Sequence, residues 1–498
     1  VCDGDNSTCS GCINELALNY DEDAIVDDGS CEYYSGPNWY VSTTGTDDIG
    51  YGSEENPFSS IQYAIDAVAD GDTVFVAAGT YYENIYINKH VHLIGENTLT
   101  TIIDGNQNGT VVKINSSIIG NLENITVQNG YEADTNNNNI DGGGIYVQGS
   151  SNEYFFKNLL IKNNRAYDQG GGIYCRGGEL QIYNCTFVNN ASNRGGAMFF
   201  TEGSEFSLID SYVYDNHIIE TINKPFDGNG AGIAFVYGSM TDHSLIENTS
   251  FSNNFSSEGG AIYTYESNLI IGNSIIAYNN TINGAGMFIE NSFLDLFNCS
   301  LYKNYSEDTG AGIYLKNSEA SIFASEIFEN YSNFQTPGIL VFNSNVEINK
   351  STFAKNGTNG NYDNTGVLTT YNSNMYLKNS IIFHNDNDIM PVFSDNSILD
   401  ISFSNINTEY VGIGNISILP EFVLLGDSGI FDDDIGDYAL QPTSPCIDAG
   451  DPDSPLDPDG TIADMGAYYY HQTLGCTNPD ASNYNPDANV DDGSCCVE

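Results

Sequence analysis

The chain has 498 residues, of which 67 are acidic and only 13 are basic, so its formal net charge is −54. Nucleic acids and anionic membrane surfaces repel a protein of this charge, and we exclude both as partners. No apolar run approaches the ~18 residues that a transmembrane helix needs, so the sequence predicts no membrane-spanning segment.

Residues 11–31 and 475–495 are two copies of one short module, identical at 14 of 21 aligned positions. The pattern resembles a Cys-bounded module that separates or ends longer domains in secreted proteins of marine bacteria. Two cysteines with the same spacing bound each copy, which predicts an oxidising, extracellular location and the disulfides Cys12–Cys31 and Cys476–Cys495. The cysteines left over at the ends are predicted to crosslink subunits; they are Cys2, Cys9 and Cys496.

Clustered acidic residues in both modules predict a structural calcium ion, since a hard cation with oxygen ligands relieves the repulsion between close carboxylates. The spacing departs from that of an EF-hand loop, in which acids alternate and a Glu stands at the twelfth position. The alternative is a disulfide-closed Asp-Gly turn without an ion. The predicted ligands are Asp21, Asp23, Asp27 and Asp28 in the first copy, and Asp487, Asp491 and Asp492 in the second.

A short helix is predicted next along the chain. Ile61, Ile65 and Val68 fall on one face of it, Ser59 can cap its start, and Gly71 can end it. We expect this helix to cover the open end of the core that follows.

Nine times between residues 142 and 368, a pair of small residues is followed by two apolar residues, at intervals of 25 to 35 residues. A large apolar residue three positions before an Asn repeats with the same period, as in Phe187 and Asn190. The stretches between these motifs alternate in polarity, as strands do. So short a unit cannot bury its own apolar face, which predicts a solenoid of stacked coils with Gly at corners and a ladder of Asn amides. The interval of 35 between Met198 and Ile233 predicts a loop insertion around residues 215–227.

With these motifs the chain resembles right-handed parallel β-helix proteins of the pectin-lyase-like superfamily, specifically bacterial surface and secreted members with Gly-Gly-Ala-Ile and Phe-x-x-Asn repeats. The resemblance covers roughly residues 40–470. It implies an all-β fold, a right-handed parallel β-helix solenoid with a short N-terminal capping helix and small disulfide-closed modules at both termini. The predicted domains are an N-terminal module (residues 1–34), the β-helix (35–436), a C-terminal cap (437–472) and a C-terminal module (473–498).

Two adjacent columns of apolar residues follow the Gly pairs, and only one can face the core because strand side chains alternate. The aliphatic column, with Ile145, Ile173 and Met198, is predicted to face inward. Its neighbour is then expected to be an exposed aromatic stripe that contacts another subunit, a packed loop or a sugar chain. The alternative is a ladder of strand aromatics that support one another in water. The stripe consists of Tyr146, Tyr174, Phe199, Tyr263, Phe288 and Tyr314.

The sequence shows no catalytic constellation, so the chain is predicted not to be an enzyme. A lyase would need a basic residue beside a bound cation, and the candidates Arg165, Arg176 and Arg194 are interpreted as solvated turn charges. A glycosidase would need two carboxylates about 5 to 10 Å apart, whereas Asp210 and Asp295 are single acids on strands. Two cysteines in equivalent places are predicted to fill the core; they are Cys185 and Cys299.

The predicted function is that of an extracellular structural protein, the subunit of a surface or secreted filament. Matched modules at both termini favour head-to-tail assembly, and a head-to-tail contact that does not close generates a filament. The alternatives are a carbohydrate-binding or carbohydrate-cleaving β-helix surface protein and a monomeric adhesin. The predicted partners are copies of the same chain and glycans, and the predicted cofactor is calcium.

Overall fold

The computed structural model describes residues 10–115, 119–132, 141–149, 153–219, 229–239, 243–358, 366–385, 390–426 and 435–496. The chain divides into two compact units, residues 1–256 with 266–268 (the N-terminal unit) and residues 257–265 with 269–498 (the C-terminal unit). In each unit, short parallel strands joined by tight turns stack as successive coils, which confirms the predicted all-β parallel β-helix. Among the described residues, no helix is long and apolar enough to cross a membrane.

Four parallel sheets, A to D, make up the N-terminal unit. Sheet A contains Asn38–Val41, Asp72–Val76, Val91–Gly95, Ile119–Glu123, Glu153–Lys157, Glu179–Tyr183, Glu205–Ile209 and Ser244–Glu247. Sheet B contains Gly79–Tyr81, Thr101–Asp104, Thr126–Gln128, Leu160–Lys162, Thr186–Val188, Tyr212–Tyr214 and Ser250–Ser252. Sheet C contains Ile85–Ile87, Val112–Ile114, Ile145–Gln148, Ile173–Arg176, Met198–Thr201 and Ile233–Val236. The short sheet D contains Tyr131–Glu132, Arg165–Ala166, Ala191–Ser192 and His217–Ile218.

The C-terminal unit has the corresponding sheets E to H. Sheet E contains Asn268–Gly272, Phe293–Phe297, Glu319–Phe323, Asn345–Asn349, Asn374–Lys378 and Ile398–Ser402. Sheet F contains Ile275–Ala277, Ser300–Tyr302, Glu326–Phe328, Thr352–Ala354, Ile381–Phe383 and Asn405–Ile406. Sheet G contains Ile262–Tyr265, Met287–Glu290, Ile313–Lys316, Ile339–Phe342, Gly366–Tyr371 and Met390–Asp395. Sheet H contains Asn280–Asn283, Tyr305–Thr309, Tyr331–Ser332 and Gly357–Thr358.

Smaller elements complete the described chain. The predicted helix spans Ile61–Ala67, and its N-cap is Ser60 rather than Ser59, because the Ser60 side chain accepts from the backbone N–H of Tyr63. Val68 is the C-cap, so the helix ends before Gly71. Three two-stranded sheets are also present; they are Ser10–Gly11 with Val26–Asp27, Phe422–Leu424 with Asp437–Leu440, and Leu474–Gly475 with Val490–Asp491.

Buried Asn side chains bond each coil to the next, as the repeated Asn predicts. In the C-terminal unit, the Asn330 Oδ1 accepts from the backbone N–H and the amide of Asn304, at 3.1 and 2.9 Å. The Asn330 amide donates in turn to the Asn356 Oδ1 at 3.1 Å. The N-terminal ladder contains a further member, Asn216, which the repeated motif does not include because the residue three positions before it, Val213, is smaller than the Phe, Leu or Ile of the other copies. The ladders therefore satisfy backbone donors at a buried corner.

Hydroxyl and thiol groups form a second ladder, which sequence reasoning did not find. The Cys299 N–H donates to the Ser325 Oγ at 3.1 Å, and the Ser325 N–H donates to the Ser351 Oγ at 3.4 Å. Cys185 has the equivalent place in the N-terminal unit, where its N–H donates to the Ser211 Oγ at 3.1 Å. Both thiols are buried, and this burial raises the pKa of each to about 12. The prediction that these cysteines are buried rather than reactive therefore agrees with their surroundings.

The segment predicted to cap the C-terminal end has contacts along the outward face of sheet F. Phe328, Ala354 and Ile381 of that sheet form one apolar cluster with Tyr438, Cys446 and Met465 of the segment. Polar contacts follow the same face, since the Ala467 N–H donates to the Thr352 Oγ1 at 2.9 Å. The segment thus covers the flank of several coils of this unit, whereas the resemblance implies a cap across their end.

A carboxyl group is buried beneath this segment. Glu326 is 6% exposed, and its Oε2 accepts from the Tyr468 hydroxyl at 2.9 Å and from the Ser300 hydroxyl at 3.4 Å. Burial raises the pKa of the Glu326 carboxyl to about 7. The folded chain therefore binds this proton more tightly than the unfolded chain. As the pH rises from 4.5, the ordinary pKa of a Glu carboxyl, through about 7, ionisation of Glu326 lowers the free energy of unfolding.

Glu326→Gln is expected to raise the free energy of unfolding by about 1–3 kcal/mol at about pH 8, because glutamine keeps the acceptor for Tyr468 and removes the buried charge. Below about pH 4.5 the carboxyl is protonated in both states, so the variant should match the parent. Denaturant titrations at the two pH values measure the difference. An increase of the same size at both would show that buried charge is not its cause.

Candidate functional site

The outward face of sheet E carries an open trough of about 440 Å³. Alternation along the strands sends Leu294 and Leu296 into the core and leaves Asp295 on the outer face. The register then sets the outward residues of neighbouring strands side by side, for example Ser321 beside Glu347 and Glu347 beside Tyr376. The outward side chains that line the trough are Phe293, Glu319, Ser321, Asn345, Glu347, Asn374 and Tyr376.

Sheet A of the N-terminal unit has a second trough, of about 730 Å³, on its own outward face. Asn side chains at the adjoining corner are bonded to one another, since the Asn158 amide donates to the Asn124 Oδ1 at 2.8 Å and the Asn184 amide donates to the Asn158 Oδ1 at 2.7 Å. The lining residues are Asn121, Glu123, Phe155, Lys157, Asn158, Tyr183, Asn184 and Asp210.

The two troughs share one chemistry, in which aromatic rings stand among amide and carboxylate groups. Tyr376 is 45% exposed, so part of its ring is open to a ligand. An aromatic face takes up the C–H surface of a sugar ring, while amides and carboxylates hydrogen-bond its hydroxyls. Both troughs cross several strands that lie about 4.8 Å apart, a spacing close to the length of one pyranose unit in an extended polysaccharide.

Two carboxylates of the sheet E trough lie on adjacent strands. Glu347 pairs in register with Ser321, so Glu319 is two residues along its strand from the position opposite Glu347. With strands about 4.8 Å apart and a rise of about 3.3 Å per residue, the Glu319 and Glu347 Cα atoms are about 8 Å apart. Side chains that leave the sheet from Cα atoms at this separation can bring their carboxyl groups to the spacing of about 6.5–9.5 Å found in inverting glycosidases. Neither Glu319 nor Glu347 belongs to a repeated motif, so the pair does not stand out in the sequence.

The predicted aromatic stripe projects outward but is mostly buried. Ile145, Ile173 and Met198 are fully buried in the core, as predicted, and the aromatic column lies outside them. Tyr174, with 5% of its surface exposed, stacks between Tyr146 and Phe199 at ring-centroid distances of 5.2 and 5.9 Å. The expectation of an exposed stripe is therefore wrong for four of its six members, Tyr174, Phe199, Tyr263 and Phe288.

Stacking and the preceding turn together bury these rings. Each ring covers its neighbours on adjacent coils, and the glycine turn lies against the base of the column. A Cβ at Gly195, where φ is +65°, would lie 2.8 Å from the Phe199 Cβ. Tyr146 and Tyr314 remain partly exposed. A contact role for this column remains a prediction.

The three arginines considered for lyase chemistry do not form one site. Arg165 lies over the Tyr131 ring at 5.7 Å, Arg176 pairs with Glu202 at 2.7 Å, and Arg194 pairs with Asp168 at 3.3 Å.

Asp141 was not singled out from the sequence. It is 6% exposed, and burial raises the pKa of its carboxyl to about 7. Of the two single acids considered for a glycosidase, Asp210 lines the sheet A trough from a turn, while Asp295 is on a strand of sheet E.

The terminal modules contain both predicted disulfides, Cys12–Cys31 and Cys476–Cys495. Their acidic side chains mostly cap turns, since the Asp27 Oδ1 accepts from the Gly29 N–H at 3.0 Å and the Asp28 Oδ1 from the Ser30 N–H at 2.9 Å. Asp491 and Asp492 make the same bonds in the second copy. Asp21 caps a turn by accepting from the Asp23 N–H, whereas in the second copy Asn485 accepts from the Asp487 N–H.

The described residues contain no cluster of three or more metal-ligating acidic, histidine or cysteine side chains. Calcium on the predicted acids therefore remains a prediction. Cys496 is a free, exposed thiol, as a crosslinking role requires. Cys2 and Cys9 lie outside the described residues, and crosslinking between subunits stays a prediction.

Sequence comparisons find a family model that matches part of the repeat, and relatives of low identity. The family described as "Right handed beta helix region" matches residues 123–307. An uncharacterized protein of Bacillus subtilis, YwoF, is 25% identical over 175 residues, which cover 32% of this chain and 35% of that protein. The metabotropic glutamate receptor-like protein Q of Dictyostelium discoideum is 27% identical over 281 residues, covering 54% of this chain and 22% of the relative. The chain thus spans about a third or less of the length of either relative.

Solved structures with a similar fold include three carbohydrate-acting enzymes. The pectate lyase Pel9A is 16% identical with a TM-score of 0.41, covering 88% of this chain and 98% of its own. A rhamnogalacturonan lyase is 13% identical with a TM-score of 0.34, covering 82% and 97%. The pectin methylesterase PemA of Erwinia chrysanthemi is 12% identical with a TM-score of 0.28, covering 58% and 90%. Because these proteins are enzymes, the prediction that the chain is not an enzyme is contradicted and is withdrawn, although so distant a likeness transfers neither an activity nor a residue.

Proposed function

We propose that this is an extracellular carbohydrate-active protein that binds a linear, neutral polysaccharide along the outward troughs of sheets A and E. The observation that carries the proposal is the shared lining of the two troughs, in which exposed or partly exposed aromatic rings stand among amides and carboxylates of neighbouring strands. The two disulfides support an extracellular location, since such bonds persist in oxidising surroundings.

Charge favours a neutral sugar over a polyuronate. The sheet E trough contains Glu319 and Glu347, and no Lys or Arg is among its lining residues. The whole chain carries a formal charge of −54. At the sheet E trough a polymer of uronic acids would meet both the local and the overall repulsion, whereas the hydroxyls of a neutral polysaccharide can donate to these carboxylates. The sheet A trough contains one cation, Lys157, against two carboxylates, Glu123 and Asp210, so its lining is also net negative.

Affinity electrophoresis in gels that contain soluble neutral polysaccharides or polygalacturonate tests the proposal. We expect at least one neutral polymer to retard the protein and polygalacturonate to leave it unretarded. Tyr376→Ala combined with Tyr183→Ala should weaken binding about tenfold or more, because each removes a stacking face. Tyr212→Ala is the matched control, since Tyr212 is 56% exposed on sheet B and lines neither trough. Equal weakening by the control, or retardation by polygalacturonate alone, would contradict the proposal.

The spacing of Glu319 and Glu347 favours a second function at the same trough, hydrolysis with inversion of the anomeric centre. One carboxyl would protonate the leaving oxygen while the other activates a water molecule on the opposite face of the sugar. On a polysaccharide that binds, Glu319→Gln or Glu347→Gln should lower the release of reducing ends about 10²-fold or more, with binding retained. Asp400→Asn, on the same sheet but outside the trough lining, is the control. A first product with retained configuration would refute the inverting pair.

Head-to-tail filament assembly and a monomeric adhesin role remain predictions from the sequence. No observation on the single chain supports an assembled filament, and we do not adopt it as the function.

A further inference from the structure

A cavity of about 390 Å³ lies within the C-terminal unit, at the corner between sheets E and F. The segment that covers the flank of sheet F forms its other wall. Its volume falls within the range of small-molecule sites. Three aromatic rings line it, those of Phe323, Tyr468 and Tyr469, and all three side chains are exposed. A ligand that enters the cavity can therefore reach them.

A short side chain at the corner accounts for the open space. The two preceding coils of this unit have an Asn with positive φ at this corner, and the Asn298 amide donates to the Asn273 Oδ1 at 3.3 Å. Ala324 has the equivalent place in the next coil, because Phe323 pairs in register with Phe297. It adopts the same left-handed conformation, with φ +47°, which Asn favours and Ala rarely adopts. Its methyl group leaves room where an amide would lie.

The charged residues of the lining are engaged with one another. Lys350, at the same corner one coil further on, forms an ion pair with Asp457, whose Oδ2 also accepts from the Asp464 N–H at 2.8 Å. Both oxygens of Asp464 accept backbone N–H groups. A charged ligand would have to break these contacts. The aromatic rings and the exposed amide of Asn298 are better suited to a neutral sugar ring.

The cavity adjoins the sheet E trough along one strand. Glu319, Ser321 and Phe323 are the outward residues of the strand Glu319–Phe323. The first two line the trough, and the third lines the cavity. With a rise of about 3.3 Å per residue, the Ser321 and Phe323 Cα atoms are about 7 Å apart. A polysaccharide that crosses the strands in the trough would therefore lie beside the cavity, at a distance that a side group of one sugar unit spans.

We propose that this cavity is a branch subsite, which binds a single neutral sugar attached as a side group to the polysaccharide in the sheet E trough. The inference rests on the proposed function and extends it, since it adds a side group to the linear backbone. The ring of Phe323 packs on the C–H face of the side sugar, and the Asn298 amide bonds to its hydroxyls. The substrate class is then a neutral polysaccharide whose backbone carries one-sugar branches.

Filling the corner tests this site without weakening the fold. Ala324→Asn places an amide in the cavity, where it can donate to Asn298 as Asn298 donates to Asn273. Because Asn favours the left-handed conformation more than Ala, the variant should unfold at the same denaturant concentration as the parent or a higher one. Phe323→Ala is a second variant, which removes an exposed ring, and Tyr212→Ala on sheet B is the matched control.

The probes for affinity electrophoresis are galactomannan and arabinoxylan, each compared with the same polymer after enzymatic removal of most of its side groups. We expect the parent to bind the branched form of at least one about tenfold or more tightly than the debranched form. Ala324→Asn and Phe323→Ala should lose this preference and keep the parent's affinity for the debranched form. Tyr376→Ala, in the trough, should weaken binding of both forms, and Tyr212→Ala should weaken neither.

The outcomes separate the branch subsite from the proposed function. Equal binding of branched and debranched forms by the parent would overturn the branch subsite and leave the trough standing. A preference that persists in Ala324→Asn and in Phe323→Ala would also overturn it, because the side group would then bind elsewhere. Absence of retardation by either form of both polymers would overturn the branch subsite together with the proposed function.

Discussion

Replacing Asn330 with Leu is expected to lower the free energy of unfolding by about 3–5 kcal/mol. Asn330 is fully buried, and its amide donates to the backbone carbonyls of Leu301 and Phe328 as well as to Asn356. Leucine has a similar size but removes these donors and leaves the backbone N–H of Asn304 without its acceptor. Each buried polar group that loses its partner keeps its desolvation cost.

Denaturant titration followed by circular dichroism measures this effect. Asn345→Leu is the matched control, because Asn345 is exposed on a strand of sheet E and accepts one bond, from the Asn374 amide at 2.8 Å. We expect the control to change stability by no more than about 0.5 kcal/mol. Similar losses in both variants would show that the buried ladder contributes no more than an exposed pair.

Phe199→Ser should destabilise the N-terminal unit by about 3–5 kcal/mol, as truncation of a buried aromatic side chain does. Phe199 is 2% exposed, stacks on Tyr174, and has the Arg194 guanidinium 5.7 Å from its ring centroid. From the sequence alone, serine in this column would weaken association and leave the melting temperature nearly intact. The burial of the column reverses that expectation.

Thermal unfolding of Phe199→Ser, compared with Tyr146→Ser, distinguishes the two views. Tyr146 is the partly exposed neighbour of Tyr174, so its replacement should lower the melting temperature by less. A normal melting temperature for Phe199→Ser, together with reduced self-association or glycan binding, would restore the interpretation of the column as a contact surface.

The sequence predicts the structure at positions where the same kind of side chain has the same role in every coil. Phe187 and Asn190, or Leu301 and Asn304, repeat because each coil must fill the same interior and satisfy the same corner. The inward column was likewise predictable, since alternation fixes which side chains share a face. Alternation alone could not show that Tyr174 is buried, because its ring is covered by the outward rings of Tyr146 and Phe199 on the adjacent coils.

The troughs could not be found by repeat analysis, since their residues differ from coil to coil. Glu347 and Tyr376 are register partners on the outward face of sheet E, yet neither belongs to a repeated motif. If the repeats are aligned on the Asn of the ladder and the outward positions of neighbouring strands are compared, Glu347 falls beside Tyr376. The same procedure reveals the flank under the C-terminal segment, where Tyr302, Phe328 and Ala354 form an outward apolar column.

The Asn ladder also determines which changes of chain length the fold tolerates. Asn190 is bonded to Asn216 at a separation of 26 residues, and Asn216 to Asn254 at 38, yet both pairs have the same geometry. The strands on either side of the longer interval keep the same register, since Tyr212 pairs with Thr186 of one coil and with Ser250 of the next. Most of the loop insertion predicted around residues 215–227 lies outside the described residues. Gain or loss of a whole coil preserves every rung, and a loop can grow between rungs, whereas deletion of one residue within a strand reverses the inward and outward faces beyond it. Related chains are therefore expected to differ by whole coils and by the lengths of loops, with few single-residue gaps inside strands.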